Sequence, residues 1–470
     1  MFWGSISESG KNDLIGLLET FNSTSSSEYK HKYVDILRDI TLSWFQSFCI
    51  QHAIISKSTL VSLPTGTGKT MTAIAYIEAI RKDYSPDCKA LFVCIPTSVK
   101  QIYNDFEKYS NMRVMSTTGK QSEIDVIRNT PISFCDSYVV SYKALYNTSF
   151  CNWFVENSDF FDICVLDEAH EVSQDSLIKS ICKQLFRQVT YRLELTATPL
   201  TVDPIQPLEL INLMDEGAIE NPRKLLEQFA VREPDTFTLI GYEGLENLSS
   251  MLFPHYVSWT RKELGIDGEV KTRLYLVDPT EEQMNASRVD GYKIIKMLKD
   301  SNQAKVLQAV VRDKTNRGLK GLVFCVHREV CKVAQEVLID AGVKALIANG
   351  ENTDTERDIV LSSFSNNLID CMVTNLTTSL NLSCDYIVIY EQTNNILQLL
   401  GRPVRGFVPR DIEVDYIITD NTVEIDQFDE NVYQRAEYSR DMLGKDISVV
   451  ERLEGAIRRR REIMKSELKR

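Results

Sequence analysis

The sequence predicts an α/β chain of two doubly wound parallel-sheet domains in tandem, and three observations predict it. Short apolar runs of strand length alternate with helical runs in two successive series. A glycine-rich loop joins a strand to a helix in the first series. An acidic pair ends a later strand of that same series.

Taken in order, the strand candidates of the first series are residues 59–63, 90–95, 138–141, 163–166 and 192–195. Helical runs separate them, such as 71–81 with Ile74, Ile77 and Ile80 along one face. The second series is more compact, with candidates at 322–326, 345–347, 372–374, 387–390 and 415–418. These set the expected organisation: an N-terminal helical segment over 1–40, a first domain over 41–201, a helical connector over 202–320, a second domain over 321–425 and a basic helical tail over 426–470. Within the first segment, 11–21 reads as a helix and the small polar run Asn22-Ser-Thr-Ser-Ser-Ser27 as a linker. In the tail, Ile447, Val450, Leu453, Ile457, Met464 and Leu468 form one helical stripe, with Arg458–Arg461 on other faces, so the tail packs on the second domain or adds a nucleic-acid or partner contact.

Composition fits this plan. The chain has 470 residues, 43% of them hydrophobic, enough for two full cores. No run of 18 apolar residues occurs and no basic segment leads into an apolar stretch at the N-terminus, so the expectation is a soluble, cytoplasmic protein without a membrane partner. Eleven cysteines with no C-x-x-C read as reduced core thiols, and five dispersed histidines make no zinc site. A net charge of −13 excludes a protein that coats nucleic acid non-specifically.

The chemistry is concentrated in two places. Leu63-Pro-Thr-Gly-Thr-Gly-Lys-Thr70 stands between an apolar run and a helical run, the setting of a phosphate-binding loop. Thr67 to Lys69 wrap backbone N–H groups around the β- and γ-phosphates, Gly66 and Gly68 let the backbone come close, Thr65 belongs to the same binding loop, Lys69 adds a point charge, and the Thr70 hydroxyl is a ligand for Mg²⁺. Leu63 occupies the place where the general pattern has its first glycine. In Phe161-Asp-Ile-Cys-Val-Leu-Asp-Glu-Ala-His170 a strand runs into two adjacent carboxylates: Asp167 to hold Mg²⁺ and Glu168 to orient and deprotonate an attacking water, with His170 part of the same nucleotide motif.

With these two motifs the chain resembles the superfamily 2 helicases and translocases, and further segments match that family in order. Trp44-Phe45-Gln46 is similar to the element whose Gln reads the adenine edge. Ile95-Pro-Thr-Ser98 and Val139-Val-Ser-Tyr-Lys-Ala-Leu145 resemble strand-end motifs that touch the nucleic-acid backbone. Leu195-Thr-Ala-Thr-Pro199 resembles motif III, whose hydroxyls couple the metal site to the nucleic-acid groove. In the second half, Gly321-Leu-Val-Phe-Cys-Val-His-Arg328 resembles motif IV, and Cys371-Met-Val-Thr-Asn375 through Leu380-Asn-Leu382 resembles motif V, with Ser379 where the family usually has Gly. Gln398-Leu-Leu-Gly-Arg-Pro-Val-Arg-Gly406 resembles motif VI.

The resemblance implies two RecA-like domains facing each other across an ATP cleft, ATP and Mg²⁺ as cofactors, and Arg402 and Arg405 as arginine fingers, Arg405 the main one, with Gln398 beside the nucleotide. It places Thr97, Ser98, Ser141, Lys143, Arg328 and Thr374 against nucleic acid. A groove of this kind grips phosphates with amides, hydroxyls and a few cations, so the acidic net charge is compatible with it. No close cysteine quartet lies between Thr70 and Asp167, so the resemblance implies no iron–sulfur cluster and Mg²⁺ as the metal. The Thr-Ala-Thr-Pro and Leu-Asn-Leu segments are similar to phage branch-migration helicases, restriction translocases and Swi/Snf-type motors, and Trp259-Thr-Arg-Lys262 with Val277-Asp-Pro-Thr-Glu-Glu-Gln283 resembles the segment that joins the two motors in Swi/Snf-type remodellers. The expectation is an ATP-dependent motor on DNA in preference to RNA, a helicase or a double-strand translocase. An RNA helicase, and an ATP-switched interaction subunit of a larger complex with a protein partner, remain open beside it.

Overall fold

A computed structural model describes residues 6–23, 32–173, 175–197, 204–233, 237, 239–261, 263–266, 268, 270–283, 296–376, 382–391, 411–420, 422 and 424. The chain divides into two compact units, and within the described residues the division falls between Thr260 and Arg261.

The first unit is built on a seven-stranded sheet. Its strands are β1 (Ser58–Ser62), β2 (Ala90–Cys94), β3 (Val114–Thr117), β4 (Ser137–Ser141), β5 (Ile163–Asp167) and β6 (Tyr191–Thr196), joined later by β9 (Tyr256–Ser258). The spatial order is β3-β4-β2-β5-β6-β1-β9 and every pairing is parallel. Strands β1, β2, β4 and β5 are buried along their whole length; β2 is wholly apolar, and the others carry apolar centres with small polar residues or Asp167 at their ends. A small antiparallel hairpin, β7 (Ala230–Arg232) with β8 (Leu239–Tyr242), lies outside this sheet.

The second unit repeats the scheme with six parallel strands: β10 (Val270–Val277), β11 (Gly321–Phe324), β12 (Ala345–Ala348), β13 (Cys371–Thr374), β14 (Tyr386–Ile389) and β15 (Ile412–Thr419), in the order β10-β15-β14-β11-β13-β12. Both units are RecA-like α/β domains. Under β15, Lys314 is buried and makes ion pairs of 2.7 Å with Glu413 and 2.6 Å with Asp415, so the charged positions of an otherwise apolar strand are matched.

Two regions differ from the sequence expectation. Residues 202–320, expected as a helical connector, contribute β9 to the first sheet and the eight-residue β10 to the second. Strand β9 is too short to register as a period. Strand β10 alternates Lys271 and Arg273 with Leu274 and Leu276, the pattern of a half-exposed edge. The N-terminal segment contains α1 (Glu8–Ser23), longer than 11–21 and seated on α2 (Trp44–Ser56). Leu14 and Leu17 are buried, and a Cβ at Gly10 would lie 3.7 Å from the Ile55 carbonyl oxygen. The Asn22–Ser27 linker, apart from the backbone of its first two residues at the end of α1, and the 426–470 tail lie outside the described residues. Among the described residues no helix is long and apolar enough to cross a membrane.

One buried histidine makes the first unit acid-sensitive. His52 of α2 is fully buried; its Nδ1 lies 3.1 Å from Thr59 Oγ1 and its Nε2 2.9 Å from the Phe253 carbonyl oxygen. A carbonyl only accepts, so Nε2 carries the proton and Nδ1 accepts from the threonine hydroxyl. Burial lowers the His52 pKa from 6.5 to about 3. Folding therefore requires the neutral ring: its contribution is fully present above pH 6.5 and is lost as pH falls towards 3. Thermal unfolding followed against pH should show a loss of up to about 1.4 kcal/mol per pH unit across that window from this group, and His52→Gln should make the acid slope shallower.

Candidate nucleotide and nucleic-acid site

The loop after β1 leads into α3 (Lys69–Asp83), a fifteen-residue helix whose first N–H groups have no intrahelical partner. Gly66 and Gly68 both take φ of +80°, where a side chain is strained. A Cβ on Gly68 would also come within 2.6 Å of Gln46 Nε2. Leu63 is absent from the left-handed residues, which explains why no glycine is needed there. Its part is played by the backbone: the Leu63 N–H donates to the Thr196 carbonyl at 3.2 Å, and its own carbonyl accepts from Lys69 Nζ at 3.3 Å.

Gln46 serves two structures at once. Its Oε1 accepts from the Ser43 N–H and hydroxyl, both at 2.8 Å, closing the N-terminus of α2. Its Nε2 donates to the Thr67 and Gly68 carbonyls at 3.2 and 3.3 Å. Thr67 is fully buried and its hydroxyl donates to the Pro64 carbonyl at 2.7 Å; Thr65 is buried, and Thr70 is partly exposed at the helix start.

Asp167 ends β5, two strands from β1, and Glu168 follows at φ +51°. This left-handed backbone in a residue other than glycine costs on the order of 1 kcal/mol and turns the second carboxylate away from the strand direction. Tyr142 donates its hydroxyl to the Asp167 carbonyl at 2.9 Å. Burial, reinforced by the neighbouring Glu168 carboxylate and opposed by Lys69, pushes the Asp167 pKa up to about 7. A buried carboxylate pair facing an ammonium group suits a divalent cation, so Asp167 and Thr70 fit Mg²⁺ chemically. His170 Nδ1 lies 3.0 Å from Thr196 Oγ1 and 3.6 Å from Glu168 Oε2, which ties the acidic motif to the end of β6.

The expected nucleic-acid residues stand at C-terminal strand ends, where loops of a parallel sheet gather. In the first unit, Thr97 is exposed and Ser98 half-buried after β2, and Lys143 is exposed after β4. Ser141 is fully buried; its hydroxyl accepts from Ala144 N–H at 3.0 Å and donates to the Thr118 carbonyl at 2.9 Å, so it caps the turn that carries Lys143. In the second unit Arg328 is half exposed, 3.7 Å from Glu351, and the Thr374 hydroxyl is buried, accepting from Leu376 N–H at 3.0 Å. Gln398, Arg402 and Arg405 lie outside the described residues, as do Thr198, Pro199, Ser379, Leu380 and Asn381.

Two participants went unassigned at the level of sequence. Tyr142 supports Asp167, and only its place inside the strand-end motif pointed to it. Glu391, two residues after β14, accepts from the N–H groups of Val326 and His327 at 2.8 and 2.9 Å and approaches His327 Nδ1 at 2.9 Å, fixing the turn that leads to Arg328. A carboxylate closely following an apolar strand was its only signal.

Residues 38–201 match the family described as type III restriction enzyme, res subunit. No curated protein matches the sequence. Among solved structures, the chain is similar to a Sulfolobus solfataricus SWI2/SNF2 ATPase core in complex with dsDNA, at 18% identity over 85% of this chain and 93% of that one, with a TM-score of 0.41. It is also similar to the Sulfolobus solfataricus SWI2/SNF2 ATPase core domain, at 15% identity over 86% and 91%, with a TM-score of 0.45.

Proposed function

We propose that this chain, which is a superfamily 2 ATPase of the helicase and translocase kind and so an ATP-dependent nucleic-acid motor, works on DNA as a helicase or double-strand translocase. One observation carries the reading: the phosphate loop, the acidic pair and the end of β6 form one connected network, through Leu63 with Thr196, Lys69 with Leu63, and His170 with both Thr196 and Glu168. Support for DNA comes from the Thr-Ala-Thr-Pro and Leu-Asn-Leu segments and from the restriction-enzyme family that residues 38–201 match.

In this reading Lys69 and the α3 N-terminus hold the phosphates, Gln46 meets the adenine, and Asp167 with Thr70 holds Mg²⁺, which supplies positive charge against the phosphate oxygens. Glu168 takes the proton of the attacking water, and Thr196 senses the change through His170. Arg402 and Arg405 stabilise the γ-phosphate from the second domain, with Gln398 nearby. Thr97, Ser98, Lys143 and Arg328 meet the backbone of the nucleic acid, while Ser141 and Thr374 hold the turns beside them. A cytoplasmic location belongs to the same reading and agrees with eleven buried free thiols.

The test is ATP turnover with duplex DNA, single-stranded DNA and RNA, followed by triplex and strand displacement on the stimulating substrate. Duplex DNA should stimulate most. Stimulation by RNA alone would replace the reading with an RNA helicase. Turnover without either kind of displacement would favour an ATP-switched subunit acting on a protein partner.

A further inference from the structure

From the position where the chain leaves the first unit we infer that Trp259 is a positioning residue, one that passes nucleotide occupancy of the phosphate loop to the start of the second unit at Arg261. The inference rests on the nucleotide reading above. Trp259 sits one residue before the division between the units, directly after β9.

Two separate routes join it to the loop. Along the sheet, β9 pairs with β1 as Leu60 with Tyr256, Val61 with Val257 and Ser62 with Ser258. The Trp259 N–H then donates to the Ser62 carbonyl at 3.2 Å. The next residue is Leu63, whose carbonyl holds Lys69 Nζ. Along α2, the Trp259 ring meets Trp44 edge-on, with centroids 5.1 Å apart at 84°, and Phe48 at 5.6 Å and 82°. That helix carries Gln46, whose Nε2 holds the Thr67 and Gly68 carbonyls.

The segment has little freedom to absorb a shift. Besides β9, the Phe253 carbonyl accepts from His52 and His255 Nδ1 lies 3.2 Å from the Ser58 carbonyl oxygen. Phosphates arriving in the loop draw Lys69 from Leu63 and change the setting of the Thr67 and Gly68 carbonyls. In a close-packed interior both displacements converge on Trp259 and leave it through Thr260 and Arg261.

The full chain bearing Trp259→Ala should keep its KM for ATP and its basal turnover within about 2-fold, while duplex-DNA-stimulated turnover falls about 10-fold. Trp259→Phe, which retains a ring against Trp44 and Phe48, should restore most of the stimulation. A purely structural role would lower basal and stimulated turnover together, and that result, or unchanged stimulation, overturns the inference. A second measurement does not depend on the alanine variant folding. With Trp3, Trp44 and Trp153 each changed to Phe, Trp259 alone reports fluorescence, and its emission should shift when a non-hydrolysable ATP analogue binds, binding being followed by calorimetry. Confirmed binding with no shift overturns the inference. Absence of calorimetric binding to the unaltered chain would instead remove the nucleotide reading itself.

Discussion

Glu168→Gln is expected to slow ATP turnover by on the order of 10²-fold or more while ATP continues to bind. The amide keeps the size of the side chain and loses the carboxylate that the proposed reading assigns to accept the proton of the attacking water. Binding should be spared because the proposed reading gives the phosphates to Lys69 and the loop around Gly66 and Gly68. Lys69→Ala makes the contrast, since it takes a charge from the phosphates and should weaken nucleotide affinity together with turnover. It also removes the cation that opposes the rise in the Asp167 pKa, leaving a more strongly protonated carboxyl where Mg²⁺ would be held. Calorimetry of ATP binding beside steady-state turnover separates the two variants. Normal turnover in Glu168→Gln would show that another group activates the water.

Much of this site was legible in the sequence because its elements are buried on both faces. Strands β1, β2, β4 and β5 have no exposed residue, so apolar residues dominate their centres, and the loop and the acidic pair stand at the ends of β1 and β5. Strand β3 was missed for the opposite reason: Val114-Met-Ser-Thr117 is a short, mostly half-buried edge whose polar half carries no clear period. The parts of the site that depend on long-range pairing were equally hidden. Nothing local tells that Trp259 will lie against Trp44, or that Glu391 will close the turn at His327, because each pair is brought together only when separate strands align. Strand β6 shows the reverse hazard. Glu194 is wholly buried in it, burial raises its carboxyl pKa well above the usual range, and a charged residue at that point would ordinarily argue against a central strand. Leu193 and Leu195 on either side kept the pattern readable.

Arg405→Ala is expected to lower turnover by on the order of 10³-fold with only a modest change in ATP affinity, the signature of an arginine finger. The reason is the timing of the interaction. A guanidinium aimed at the γ-phosphate meets most charge in the transition state, whereas the proposed reading leaves the ground-state nucleotide to Lys69 and the amides of α3. Lysine at position 405 should recover little, because an ammonium cannot present two parallel donors to two phosphate oxygens. Arg402→Ala should cost less, since in the proposed reading Arg402 is the secondary finger. Single-turnover hydrolysis and equilibrium nucleotide binding, measured on the same preparations, distinguish a lost transition-state contact from a lost binding contact. Unaltered hydrolysis in Arg405→Ala would mean that the second domain supplies no charge to the reaction, and the two halves of the chain would then not share one active site.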